Sequence, residues 1–421
     1  MNSRHGIRTP LTSLFCGVVL ASVFSGCGRE AAEPTILRRD SAGVEIVESL
    51  RPVWEEGENW TIDPHPIVDI GAPDGPPENQ LYVVVGAARL PDGRIVVANR
   101  GTDEIFFYDS AGNFLDARGG EGGGPGEFWG IYRLWLFAAD SILAYDDLER
   151  RVSVFNSDGD FIRSWNPRIP GAEASRLIAM SRLSDGSFLF GSRPDGWKGI
   201  RGASRDSLMF HRFDPEGVHL DSLGIFPWRE YYRPTPVKVG DYASNNWVAN
   251  LPFGLKTKVG PLRQGFYLAR SESYEVEVYS PSGALLTIIR RPIPNRPVKE
   301  QDRRNLKADW LDSEPGGNQG VNRAWAKGSF GEWVQEMEFP EIMPAYGRIV
   351  PDLAGNLWIW EYSPPGNPVD RATVFDARGR MLGTVETPPF TGAFQIGEDY
   401  ILAFDRDSLD VEHVQLFRIV K

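Results

Sequence analysis

Short apolar runs alternate with polar turns along most of this chain. Val152-Ser-Val and Val276-Glu-Val put every second side chain on one face, as half-buried strands do. Leu90-Pro-Asp-Gly93 and Leu183-Ser-Asp-Gly186 separate such runs with residues that supply the positive φ of tight hairpins. The pattern repeats as a unit: a turn, an apolar strand, a polar loop, a strand ending in aromatic-Asp-x-x-Gly, and one more strand. Ile105-Phe-Phe-Tyr-Asp109-Ser-Ala-Gly112 ends the first copy, Val152-Ser-Val-Phe155-Asn-Ser-Asp-Gly159 the second and Phe213-Asp-Pro-Glu-Gly217 the third. Val276-Glu-Val-Tyr279-Ser-Pro-Ser-Gly283 and Val374-Phe375-Asp-Ala-Arg-Gly379 mark the fourth and fifth. A sixth has Tyr400-Ile-Leu-Ala403 and Val414-Gln-Leu-Phe417, and then the chain stops. Each unit predicts a four-stranded antiparallel meander.

One meander cannot bury both of its faces. Six arranged radially bury each face against a neighbour and leave no open edge between units. The predicted fold class is therefore all-β, a six-bladed β-propeller over residues 40–421, with a partly helical insertion near 296–340. The sixth unit lacks its outer strand, and the N-terminal segment is expected to supply it. Asp40-Ser-Ala-Gly43 copies Asp109-Ser-Ala-Gly112 and precedes a strand-like run at 43–50, which makes it the first candidate for the closing strand. Pro66-Ile-Val-Asp-Ile-Gly71 is the rival, and the joining of both segments to the last blade stays open. The repeat resembles NHL-type propeller repeats, and Arg118-Gly-Gly-Glu-Gly-Gly-Gly-Pro-Gly-Glu-Phe128 resembles the connector between NHL blades. Taken whole, the chain resembles the bacterial 6-bladed beta-propeller lipoproteins. That resemblance implies the fold and is nearly silent on activity.

A meander also fixes the faces. Turns between strands a and b and between c and d lie on the bottom, and the remaining connections lie on top. The long insertions, 192–205, 225–252 and 292–345, are all expected in top connections, and long loops are usually functional or disordered. Helical character is expected over Glu300–Leu311 and Arg323–Gln335. Trp228, Tyr231, Tyr232, Trp247, Trp310, Trp325, Phe330 and Trp333 in these insertions either glue them to the ring or line a cleft. Six residues on from each a–b turn, strand b ends in a polar residue: Asn99, Asp146, Ser192, Ser271, Glu361 and Asp405. Arg100, Arg193, Arg270 and Arg406 stand at or beside these positions. Asn99, Asp146, Arg193, Arg270, Glu361 and Asp405 are the candidate ligand-binding residues. The alternative reading is that strand ends turn polar as they reach water.

The N-terminus places this ring. Arg4 and Arg8 precede an apolar run from Leu11 to Phe24, too short for an ordinary transmembrane helix. Phe24-Ser25-Gly26-Cys27 resembles a lipobox, although Phe24 stands where Leu is usual. The expected organisation is a signal peptide at 1–26, a lipid on Cys27 and a tether over 27–39. The protein would then be held in the cell envelope, on the periplasmic face or at the outer membrane. Cys16 is lost with the signal, so the mature chain keeps no cysteine pair for a disulfide or a Cys-based zinc site. Removing Arg4 and Arg8 from a net charge of −12 leaves about −14, which argues against nucleic acid as a partner.

The candidate chemistry is sparse. His65, His211, His219 and His413 show no ligand spacing, and no Gly-x-Ser-x-Gly elbow occurs. Asp405-Arg-Asp407-Ser-Leu-Asp410 loosely resembles a calcium loop without its glycine and terminal Glu. No cofactor and no catalytic residue is assigned, and calcium stays open. The sequence therefore predicts a monomeric, membrane-anchored binding or scaffolding module that takes a protein, peptide or glycan on its top face. The alternative is a metal-dependent hydrolase or lyase with its site at the propeller mouth.

Overall fold

A computed structural model describes residues 35–137, 141–173, 175–194, 200–233, 238–239, 242–243, 248–312, 337–364 and 369–421. Five blades are local four-stranded antiparallel meanders. Blade 1 runs through Val84–Arg89, Ile95–Asn99, Glu104–Tyr108 and Phe114–Gly119. Blade 2 uses Ile131–Phe137, Ser141–Asp146, Arg151–Asn156 and Phe161–Trp165. Blade 3 uses Leu177–Arg182, Phe188–Ser192, Gly202–Phe213 and His219–Arg233. Blade 4 uses Lys258–Leu262, Gly265–Ala269, Glu275–Tyr279 and Leu285–Arg290, and blade 5 Arg348–Pro351, Leu357–Trp360, Arg371–Phe375 and Met381–Glu386. Blade 6 has Gly392–Ile396, Tyr400–Arg406 and Glu412–Val420 from the C-terminal end.

Strand periodicity builds the ring. Ile95 and Val97 pack towards blade 6, while Val96 and Ala98 between them pack towards blade 2. This explains why Ile95-Val-Val-Ala98 is apolar throughout: an inner strand is covered on both faces. The six blade interfaces each hold their own apolar cluster. Tyr145 and Trp165 meet Phe188 and Phe190 between blades 2 and 3. Leu189 and Phe210 meet Phe266 and Leu268 between blades 3 and 4. Val278 and Ile289 meet Ile359 and Phe375 between blades 4 and 5, and Trp358 and Val374 meet Ile401 and Phe417 between blades 5 and 6.

The turn motif works as its chemistry suggests. In Asp109-Ser-Ala-Gly112 the Asp109 carboxylate accepts from the backbone N–H groups of Ala111 at 2.9 Å and Asn113 at 2.8 Å. Gly112, at φ +85°, donates to the Asp109 carbonyl. Asn156, Asp214, Ser280 and Asp376 open the same turn in the next four blades.

Ring closure corrects the first sequence expectation. Val68–Ile70, from the rival segment, pairs antiparallel with the last strand, Val414 opposite Ile70 and Leu416 opposite Val68. Thr61 and Ile62 extend the pairing to Val420 and Ile419. Gly71 permits the join: at φ +142° a Cβ there would lie 2.3 Å from the Glu412 carbonyl oxygen. The Asp40-Ser-Ala-Gly43 turn instead links a hairpin, Ile36–Ser41 and Val44–Ser49, that is added to blade 4. Its second strand runs parallel to Leu285–Arg290, with Ile46 opposite Ile288. The local turn is the same as in a blade, but its partner is different. Between these two docking sites the chain crosses blade 5, where Trp54 N–H donates to the Leu382 carbonyl at 2.8 Å. The Trp54 and Trp60 rings, tilted 52° with centroids 4.9 Å apart, pack on that blade.

Two expected loops are also corrected. Gly202–Arg205 is strand, and Ile225–Arg233 continues strand d, so 192–205 and 225–252 contribute the two arms of one hairpin. That hairpin rises past the end of blade 3, pairing Gly202 with Arg233. The expected helix at Glu300–Leu311 is present as Glu300–Asp312. Leu306 on it is buried with Phe253 and Met343, and Tyr232 of the raised hairpin is buried with Leu251 and Met337. Phe339 packs against both groups. A small accessory core thus stands on the top face, and there the aromatics do act as glue. Trp247, Trp325, Phe330, Trp333 and the Arg323–Gln335 helix lie outside the described residues, as does the side chain of Trp310. Cys27, the expected signal peptide and the expected tether up to residue 34 also lie outside them. Among the described residues no helix is long and apolar enough to cross a membrane.

Candidate functional site on the top face

The column of polar residues at the ends of strands b is real, but most of it faces the protein. Asn99 is fully buried and accepts from Tyr82 N–H at 2.8 Å, in the segment that leads into its own blade. Asp146 is fully buried too. One of its oxygens accepts from Trp129 and Gly130 N–H at 2.7 and 3.2 Å, the other from Leu148 and Glu149 at 2.8 and 2.9 Å. Ser271 accepts from Lys256 N–H at 3.2 Å, and Asp405 from Thr391 N–H at 3.2 Å. One device recurs in four blades: the end of strand b pins the chain arriving at strand a. Backbone N–H groups in a curved link have no ladder partner, so a side-chain acceptor satisfies them. Asn99 and Asp146, placed among ligand contacts by the sequence, are spent on this task.

Ser192 differs. Its hydroxyl lies 2.9 Å from His211 Nε2, and Ser222 lies 3.0 Å from Nδ1. Burial, with His219 beside it, pushes the His211 pKa down to about 4. Arg193 lies 3.4 Å from Asp206, and Arg270 donates to Glu277 at 2.9 Å. Among the described residues these two arginines meet Asp206 and Glu277, neither of which belongs to the column.

Glu361 and Asp405 do come together. Both line a recess of about 580 Å³ between blades 5 and 6. Trp360 and Phe390 form its apolar side, and Arg348, Asp370, Tyr362 and Arg406 complete the rim. The Arg348 guanidinium sits 5.3 Å from the Trp360 ring and 5.7 Å from Phe390, and donates to the Thr391 carbonyl. Burial lowers its pKa, and Asp370 opposes that shift. Glu361 accepts from Arg371 at 2.9 Å, and Arg406 pairs with the buried Glu412. The sequence reading missed Arg348, Trp360 and Phe390. Trp360 immediately precedes Glu361 at the end of strand b, so the column itself carried that signal.

The inner strands of all six blades surround a central cavity of about 930 Å³. Among the described residues its charged lining is Arg89, Arg133 and Arg182, with no Asp or Glu. Lys258 and Arg348 begin the inner strands of blades 4 and 5.

Among the described residues, no three His, Cys, Asp or Glu side chains are grouped to hold a metal ion. In the Asp405–Asp410 segment, Asp405 turns to Thr391, while Asp407 accepts from Leu409 and Val411 N–H at 2.8 and 3.0 Å.

Radial four-stranded sheets, a seam made from both chain ends and recesses at one mouth define a six-bladed β-propeller. Residues 78–173 match the model of a protein family described as 6-bladed beta-propeller. Among curated proteins, none matches the sequence. Similar solved structures include a Bacteroides fragilis protein at 12% identity and TM-score 0.44, covering 89% of this chain and 99% of that one. A member of the duf4221 family from Bacteroides vulgatus has 11% identity and TM-score 0.45, covering 86% and 99%. A gluconolactonase from Xanthomonas campestris has 13% identity and TM-score 0.38, covering 80% and 87%. No activity is carried over from them.

Proposed function

We propose that this propeller is a lipid-anchored binding module of the cell envelope that takes a peptide or glycan in the recess between blades 5 and 6. The recess itself is the observation that carries the reading. Its volume of about 580 Å³ suits a small segment of a larger ligand, since ligand pockets commonly span roughly 300–1,000 Å³. Trp360 and Phe390 offer an apolar wall, and Glu361, Asp405 and Arg348 offer few, fixed polar contacts. Such a combination orients a ligand without chemistry on it. Fold by itself says nothing of the ligand, so the site must carry the argument.

The lipobox at Cys27 supports anchoring, because two or more acyl chains hold a protein firmly on a membrane. A monomer carries this reading, with no cofactor and no nucleic-acid partner. The test is a peptide library and a glycan array probed with the purified full chain and with Glu361→Ala/Asp405→Ala. We expect at least one retained ligand class, bound at least tenfold more weakly by the double variant. Absence of any retained ligand, or equal binding by both proteins, overturns the reading. Fatty-acid labelling that persists in Cys27→Ser overturns the anchoring.

A further inference from the structure

We infer that the top mouth of the central channel binds an organic anion that carries more than one carboxylate or phosphate group. The site shares Arg348 with the recess between blades 5 and 6 and otherwise rests on a different set of side chains. Lys258 begins the inner strand of blade 4, and Lys256 precedes it by two residues. Arg348 begins the neighbouring inner strand of blade 5. Arg133 lines the channel from blade 2. Arg229, on the raised hairpin of blade 3, forms a backbone bridge with Lys256.

Among the described residues neither Lys256 nor Lys258 has a carboxylate partner. Among the described residues the channel below has no acidic lining residue. All of this occurs in a chain with 57 acidic and 45 basic residues. Like charges held together in a recess cost stability unless a counter-charge joins them, and low-dielectric walls focus their field on the opening.

The ammonium groups show that strain. Lys256 and Lys258 are reached by water, yet protein surrounds them closely. Burial first, then Lys256 and Arg348, brings the Lys258 pKa down to about 7. Burial, Arg229 and Arg133 lower that of Lys256. An anion seated among these groups reverses the shift and draws a proton onto Lys258. Two amines and planar guanidinia suit oxyanions, since Arg offers a forked donor and Lys a point charge.

Isothermal titration calorimetry of the full chain with citrate and with pyrophosphate, at constant ionic strength, tests the inference. We expect one or both to bind, at least tenfold more weakly to Lys256→Met/Lys258→Met and to Arg133→Gln. Circular dichroism establishes that each variant is folded, and Arg133→Gln stands in should the lysine pair be needed for folding. At pH 8, where citrate is fully ionised, binding should take up protons, read as a dependence of the heat on buffer ionisation. Failure of both anions to bind, equal affinity in folded variants, or binding without proton uptake overturns it. Peptide and glycan binding in the blade 5–6 recess is scored by a different assay, so the two readings fail separately.

Discussion

Lowering the pH from 7.5 to 4.5 should weaken this propeller through one histidine. His211 is 5% exposed in strand c of blade 3, between Ser192 and Ser222, with the His219 ring centroid 5.6 Å away. Either serine hydroxyl can accept or donate, so the hydrogen bonds tolerate protonation. The penalty comes from placing a charge in an apolar blade interior, and its pKa falls to about 4, with burial the larger cause. The unfolded chain has the ordinary value near 6.5. Below that value the unfolded state takes up a proton that the folded state refuses until about pH 4. The contribution is therefore present above pH ~6.5 and is lost as pH falls towards the folded value. The gap between the unfolded value near 6.5 and the folded value of about 4 corresponds to roughly 3 kcal/mol over the whole window. Denaturant unfolding of wild type and His211→Asn at both pH values isolates this share, because the carboxylates and His219 are common to both. Wild type should lose about 2–3 kcal/mol more than the variant on acidification. Parallel losses would refute the assignment of the pH response to His211.

Truncation at the seam should be costly. Ile70, 2% exposed, sits in the closing strand, and Ile70→Ala should lose about 2–5 kcal/mol in denaturant unfolding; a loss near zero would mean that the ring does not depend on that strand. Asp146→Ala removes the acceptor of four backbone N–H groups. Hydrogen bonds to charged groups contribute about 1.5–3 kcal/mol each, so a melting temperature within a degree of wild type would contradict the pinning role.

The sequence was most legible where structure is made locally. Asp109-Ser-Ala-Gly112 and its counterparts encode a turn within four residues, and the structure has them as read. The same locality misled at Asp40-Ser-Ala-Gly43, since a turn specifies its own hairpin and not the blade that receives it. The raised hairpin escaped notice because Gly202-Ala-Ser-Arg205 carries no apolar alternation; the side chains that bury it, Tyr231 and Tyr232, stand on the partner arm. The polar column was visible, but its partners are backbone N–H groups, which have no sequence signature. Glu361 and Asp405 look no different in sequence from Asp146, and only the packing of blades 5 and 6 leaves them at a recess. The channel cations begin or flank inner strands far apart in the chain, so nothing local joins Arg133 to Lys256, Lys258 and Arg348.

The strap of residues 36–70 crosses blades 4, 5 and 6 in turn. Tension applied at its outer end would therefore reach the seam last. The added hairpin on blade 4 takes the pull first, through strands laid side by side, and the tryptophans over blade 5 take it next. Only when both have let go does force fall on Val68–Ile70. A ring closed by one terminal strand would otherwise be as weak as that strand. Here the closure is relieved of load by two upstream fastenings.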